Sequence, residues 1–132
     1  MPKKRRITSP KVAEPPPGTW SNCLTINNLI VVAGMTARTG TEVQGKGDVY
    51  VQSKVIFEKI RDLLDADKAR MDDIVKLVIY VTDIKRREDV WKARREVFTG
   101  DFPVSTLVEV RALATPEVLV EVEAIAVLGA AG

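Results

Sequence analysis

Glu109, Glu121 and Glu123 interrupt aliphatic, β-branched sequence towards the end of the chain. A carboxylate among apolar neighbours is poorly solvated, and such a group can accept and return a proton near neutrality. The competing reading is a solvated strand face whose acids pair across to Arg111 or Lys76. Other chemistries lose their reagents. The chain has no histidine, which excludes Ser-His-Asp and Cys-His catalysis and histidine metal sites. Its one cysteine, Cys23, excludes a zinc cluster and an intrachain disulfide. No GxGxxG or GxxxxGKS/T pattern occurs, so dinucleotide and P-loop readings have no footing. No metal or organic cofactor is expected.

The acids must be positioned by strands. Pro103–Leu128 reads as two strands around a turn at Thr115-Pro116. In the first, Ser105, Leu107 and Glu109 alternate with Thr106, Val108 and Val110. In the second, Val118, Val120, Val122, Ala124 and Ala126 alternate with Leu119, Glu121, Glu123, Ile125 and Val127. Upstream, Leu24–Asn27 and Leu29–Ala33 read as strands around a tight Asn27-Asn28 turn, because asparagine tolerates positive φ. Asp48 is a plausible N-cap for an amphipathic helix whose stripe is Val49, Ile56, Ile60 and Leu63, ending near Asp65. Ile74–Val81 is the most apolar strand, with Val75, Leu77, Ile79 and Val81 expected on one face. Thr82 or Asp83 caps a second helix carrying Ile84, Trp91 and Phe98, and Gly100 ends it.

At 132 residues, with 45% apolar and 29% charged residues, the composition is that of one ordinary soluble domain. Residues 1–18 read as an extended, proline-rich basic arm, and 19–132 as a single domain opened by Trp20, expected as a core anchor. The net charge is +2, but Lys3, Lys4, Arg5, Arg6 and Lys11 lie in the arm; setting those five aside leaves fifteen basic against eighteen acidic residues, or −3. That balance argues against nucleic acid as a partner of the folded part. No apolar run is long enough for a membrane span or a signal-peptide core, and the expected location is cytoplasmic.

The order ββ, helix, strand, helix, ββ gives an α+β fold with both helices on one face of the sheet. The other face, expected to carry Val78, Leu107 and Ile125, then needs cover, which implies self-association through the sheets.

These segments resemble a known family. Asp73-Ile74-Val75-Lys76 with Val81-Thr82-Asp83, Pro103-Val104-Ser105-Thr106-Leu107-Val108-Glu109-Val110, and Val120-Glu121-Val122-Glu123-Ala124-Ile125-Ala126 are similar, in order and spacing, to the Rid/YjgF family of reactive intermediate deaminases. Gly18-Thr19-Trp20-Ser21-Asn22 resembles its G-P-Y-S-Q, and Val32-Ala33-Gly34-Met35 its strand ending in S-G-Q. The resemblance covers roughly residues 18–128. It implies a chorismate-mutase-like fold, a homotrimer with ligand clefts between subunits, and cofactor-free hydrolysis of imines or enamines. Some relatives are reported as ribonucleases or translation inhibitors, which the acidic folded part and few aromatics do not favour.

Carried over position by position, the resemblance makes Glu121 the group that orients or deprotonates water. Ser105, Thr106, Trp20, Gly34 and Met35 become the residues that bind a small-molecule substrate. The chain departs from the pattern where the family grips a substrate carboxylate: Ser105 stands in the arginine's place, Trp20 in the tyrosine's and Met35 in the glutamine's. Losing a buried guanidinium–carboxylate contact costs about 2–5 kcal/mol. That is roughly thirty- to several-thousand-fold in affinity. Arg111, Arg94 and Arg38 are candidates to replace it. Trp20, Met35 and Leu107 are expected to make the cleft more apolar, suited to a larger or less anionic ligand. The alternative to a deaminase is a metabolite-binding trimer of the same family that catalyses nothing.

Overall fold

A computed structural model describes residues 1–132. Its centre is a six-stranded sheet in the order β1-β2-β3-β8-β6-β7. The strands are β1 (Arg5–Arg6), β2 (Cys23–Ile26), β3 (Leu29–Met35), β6 (Ile74–Val81), β7 (Val104–Glu109) and β8 (Val120–Val127). A separate ribbon pairs β4 (Arg38–Thr39) with β5 (Glu42–Val43). All neighbours in the main sheet are antiparallel except β6 and β7. That parallel pair needs a crossover, supplied by a 3₁₀ turn at Ile84–Arg86 and helix α2 (Arg87–Arg95).

Helix α1 (Val49–Ala66) starts where expected. Asp48 holds extended backbone, and its carboxylate accepts from the Val51 N–H at 3.0 Å. Ile56, Phe57, Ile60, Leu63 and Leu64 are buried against the sheet. Beside them α2 buries Val90 and Ala93, and Phe98 follows it into the same core. The sheet contributes Leu77, Ile79 and Val81 from β6 and Val120, Val122, Ala124 and Ala126 from β8. The alternation read from the sequence of β8 is thus realised, one set of residues sealed and the other open. The β2–β3 turn also forms as expected, with Asn27 at φ +52°.

Four expectations need correction. Residues 1–18 are not an arm without a core: β1 pairs with β2, the Ile7 N–H donates to the Cys23 carbonyl at 2.9 Å, and Ile7 and Val12 are buried. The cause is that Ile7 and Val12 precede the proline run and reach apolar surface at the sheet's end. Second, β7 and β8 do not form a pair. β8 lies between β3 and β6, a central slot that matches its fully buried alternate residues, and β7 takes the outer edge of β6.

The third correction concerns β6. Its register with β8 shifts between Ile74 and Lys76, so Ile74 is buried and Val75 is 41% exposed. A bulge adds one residue and inverts the alternation on its far side. Fourth, Leu107 pairs with buried Ile79 and packs on the helix-covered core, so it does not belong to the open face with Val78 and Ile125.

Cys23 opens β2 inside the core with 1% of its surface exposed, and burial pushes its thiol up to about 12. No helix is long and apolar enough to cross a membrane.

Candidate active site

Glu121 lies on β8 facing away from the helices, between buried Val120 and Val122. Its cross-strand partner is Tyr80 on β6, while Glu123 lies opposite Val78. The Tyr80 hydroxyl donates to Glu123 Oε1. This bond ties Glu123 down, whereas Glu121 has no side-chain hydrogen bond within the chain. Burial first, and then the charge of Glu123, raise the Glu121 carboxyl above its ordinary range. The same Glu123 contact raises the Tyr80 phenol.

Gly34 provides the seat for Glu121. The β3–β8 register slips between Val32 and Met35, and Gly34 occupies that irregularity. A β-carbon at position 34 would lie 2.9 Å from Glu121 Cδ and 3.1 Å from Cγ. Only glycine lets the carboxylate rest against the backbone there. Glu121 and Gly34, chosen from separate motifs, are therefore in direct contact.

Gly34 also lines the roomiest cavity described, about 490 Å³, together with Trp20, Met35, Arg38 and Lys59. The other wall is the segment from Val12 to Pro16, so the N-terminal residues build part of this cavity. Trp20 is 57% exposed, and its Nε1–H donates to Asn22 Oδ1 at 3.3 Å. It is not the core anchor expected: its ring is largely exposed and lines the cavity, while Ile7 and Val12 are the apolar side chains of this segment that join the core. Met35 is 5% exposed and part of the core, so it floors the cavity with little free surface.

Lys59 was not singled out in the sequence. Its ammonium donates to the carbonyls of Thr36 and Arg38, and burial lowers its pKa. The available signal was its place beside Ile56 and Ile60 on the inward stripe of α1, where a lysine must find oxygen partners.

Ser105 and Thr106 lie elsewhere. Ser105 pairs with Leu77 and so faces the helices, whereas Thr106 pairs with Val78 and faces the open side. Ser105 and Glu121 are thus on opposite faces of one sheet, and no single copy brings them together. Of the three cations named to replace the family arginine, Arg94 is at Ser105: its Nη1–H donates to Ser105 Oγ at 2.9 Å. Arg38 rims the cavity, with its Nε–H committed to the Gly40 carbonyl at 2.9 Å.

Comparison with known proteins places this geometry. The family model described as Endoribonuclease L-PSP matches residues 11–128. A Pseudomonas aeruginosa protein of unknown function superposes with a TM-score of 0.90 at 37% identity, covering 98% of this chain and 95% of that one. A Mycobacterium tuberculosis member of the YjgF/YER057c/UK114 family superposes at 0.77 with 29% identity, covering 96% of this chain and all, 100%, of the other. A 2-iminobutanoate/2-iminopropanoate deaminase of Dermatophagoides farinae is 27% identical over 127 residues, which is 94% of this chain and 97% of that protein. The fold is the α+β, chorismate-mutase-like one expected. With the matched segment running from residue 11, in the loop between β1 and β2, to the end of β8, the chain belongs to the Rid/YjgF family.

Proposed function

We propose that this protein hydrolyses the C=N bond of a short-lived imine or enamine, with Glu121 handling the proton. The observation that carries this reading is Glu121 itself: half-buried, raised in pKa, unpaired, and resting against a glycine whose missing side chain leaves it room. The deaminase named among its relatives supports the reaction class.

The chemistry needs few parts. The Glu121 carboxylate takes a proton from water as the oxygen attacks the imine carbon. That proton is returned to nitrogen, giving the tetrahedral carbinolamine. A second transfer through the same carboxyl then moves the hydroxyl proton to nitrogen as the C–N bond breaks, leaving C=O and free ammonia. An imino acid and water thus give a 2-oxo acid and ammonia, with atoms and electrons conserved. A carboxyl with a raised pKa is suited to both halves of this transfer.

The site is a cleft between copies, most simply in a homotrimer. Supporting this are the opposite faces taken by Ser105 and Glu121 and the apolar residues left open, among them Val31, Val104 and Val108. Trp20 and Gly34 line one side, with Met35 sealed in the core behind them, and the edge strand that carries Ser105 and Thr106 comes from the other copy.

The test is ammonia release from 2-iminobutanoate and 2-iminopropanoate generated in situ. Glu121→Gln is expected to lower turnover by about 10²–10⁴-fold. Full activity in that variant would remove Glu121 from the mechanism.

Ser105 in the arginine's place favours a second reading, a trimer that binds a metabolite without turning it over. An inert wild-type protein that still binds 2-oxobutanoate would support it, and an active one would defeat it. The endoribonuclease wording of the family model is not carried over. Arg5 and Arg6 of the basic segment are engaged by Asp67 and Glu14, and the remainder of the chain is acidic in balance.

A further inference from the structure

We propose that Arg94 of α2 supplies the cation that receives a substrate carboxylate, held in place by Ser105 as its positioning residue. The proposal rests on the deaminase reading for the identity of the substrate, an imino monocarboxylate, but not for the existence of the anion site.

Arg94 has an unusual setting. It is half-buried near the C-terminal end of α2, beside the edge strand β7. A guanidinium carries five N–H donors. The structure commits Nη1 to Ser105 Oγ at 2.9 Å and shows no other acceptor for this side chain. None of the molecule's ion pairs includes it, as is also true of Arg38, Arg61, Arg70, Arg87, Arg95 and Arg111; what sets Arg94 apart is its contact with Ser105. Partial burial and neighbouring Arg95 both weigh against its charge. Its free donors, partly shielded from water, are available to an anion. The planar fork of donors fits a carboxylate through two parallel bonds.

Ser105 explains why the cation comes from α2. Its side chain points to the helices at the sheet's edge, and it is small. A long cationic side chain at 105 would fill the space that the Arg94 guanidinium occupies and repel it. Serine leaves that space open and presents an oxygen to orient the fork. The residue that removes one arginine therefore admits another, and the binding loss expected from Ser105 alone is offset. This also revises the expected apolar cleft, since Met35 and Leu107 turn into the core and the cleft keeps a cation.

The experiment measures binding of two probes, 2-oxobutanoate and its uncharged amide 2-oxobutanamide, to the full chain by titration calorimetry or ligand-observed NMR. Wild-type protein is expected to prefer the acid. Arg94→Gln should weaken the acid by roughly ten- to a hundredfold. The amide should change little, so the preference disappears. Ser105→Ala should weaken the acid by a few-fold only, and Arg95→Gln should leave both probes unchanged. Arg94→Lys keeps the charge, so it tests the fork with little risk to folding, and an intermediate loss is expected.

Equal acid binding in wild type and Arg94→Gln overturns the proposal, as does a wild type indifferent to charge. Failure of the deaminase reading looks different: no ammonia release, yet acid binding that still depends on Arg94. Glu121→Gln should keep the acid preference while losing turnover, which separates the two sites.

Discussion

The two faces of the sheet are written by alternate residues of the same strands, yet they do opposite things. On the helix side Leu77, Ile79, Val81, Val120 and Val122 are 0% exposed, and β6 and β8 present only aliphatic side chains there. One residue along, on the open side, stand Val78, Tyr80, Glu121 and Glu123, where an acid raised in pKa lies against glycine. The first face secures the fold; the second keeps a group in a costly state that folding alone would not select. Period-two alternation therefore separates stability from chemistry at a spacing of one residue.

The largest effect should come from breaking the sealed face. Ile79→Ala is expected to lower stability by about 2–5 kcal/mol in chemical denaturation. Activity per folded molecule should change far less. Gly34→Ala acts from the other side. The added methyl displaces the Glu121 carboxylate, which as the end of a flexible side chain can swing aside, so the stability cost should stay within about 1 kcal/mol. Ammonia release should fall further than that loss of folded protein explains.

A smaller, pH-dependent difference follows from Glu121. Its folded value is raised, so the folded chain keeps a proton that the unfolded chain has released. Stability from this residue is complete below the ordinary value of 4.5 and falls as pH rises through the raised one. Thermal melts from about pH 4 upward should show that decline in wild type and a flatter profile in Glu121→Gln. A matching decline in the variant would assign it to another group. Smallest of all, Ser53→Ala should stay within about 0.5 kcal/mol of wild type. The Ser53 hydroxyl is buried on α1 without a partner, so its removal forfeits no hydrogen bond.

Local rules were the legible ones. The Asp48 cap, the Asn27 turn, the inward stripe of α1 and the two-faced β8 are each fixed by a few neighbouring residues, and each forms as read. Which strands adjoin was harder, because β7 and β8 are close in sequence while loop geometry sends β8 to the sheet's interior. The bulges near Gly34 and Val75 are set by pairing partners that a single strand does not reveal. At the site, the acid and its glycine could be read as motifs, but their contact could not. Lys59 and the folded-back N-terminal segment escaped because one lay hidden in an apolar stripe and the other in a basic, proline-rich stretch.

The lone sulfur of Cys23 has a practical consequence. With its thiol held near 12 and sealed in the core, it should resist alkylation and oxidation in the folded protein. Under reagent in excess, labelling then proceeds only as fast as the core around it opens. One side chain thus serves as a clock for opening of the sheet at β2.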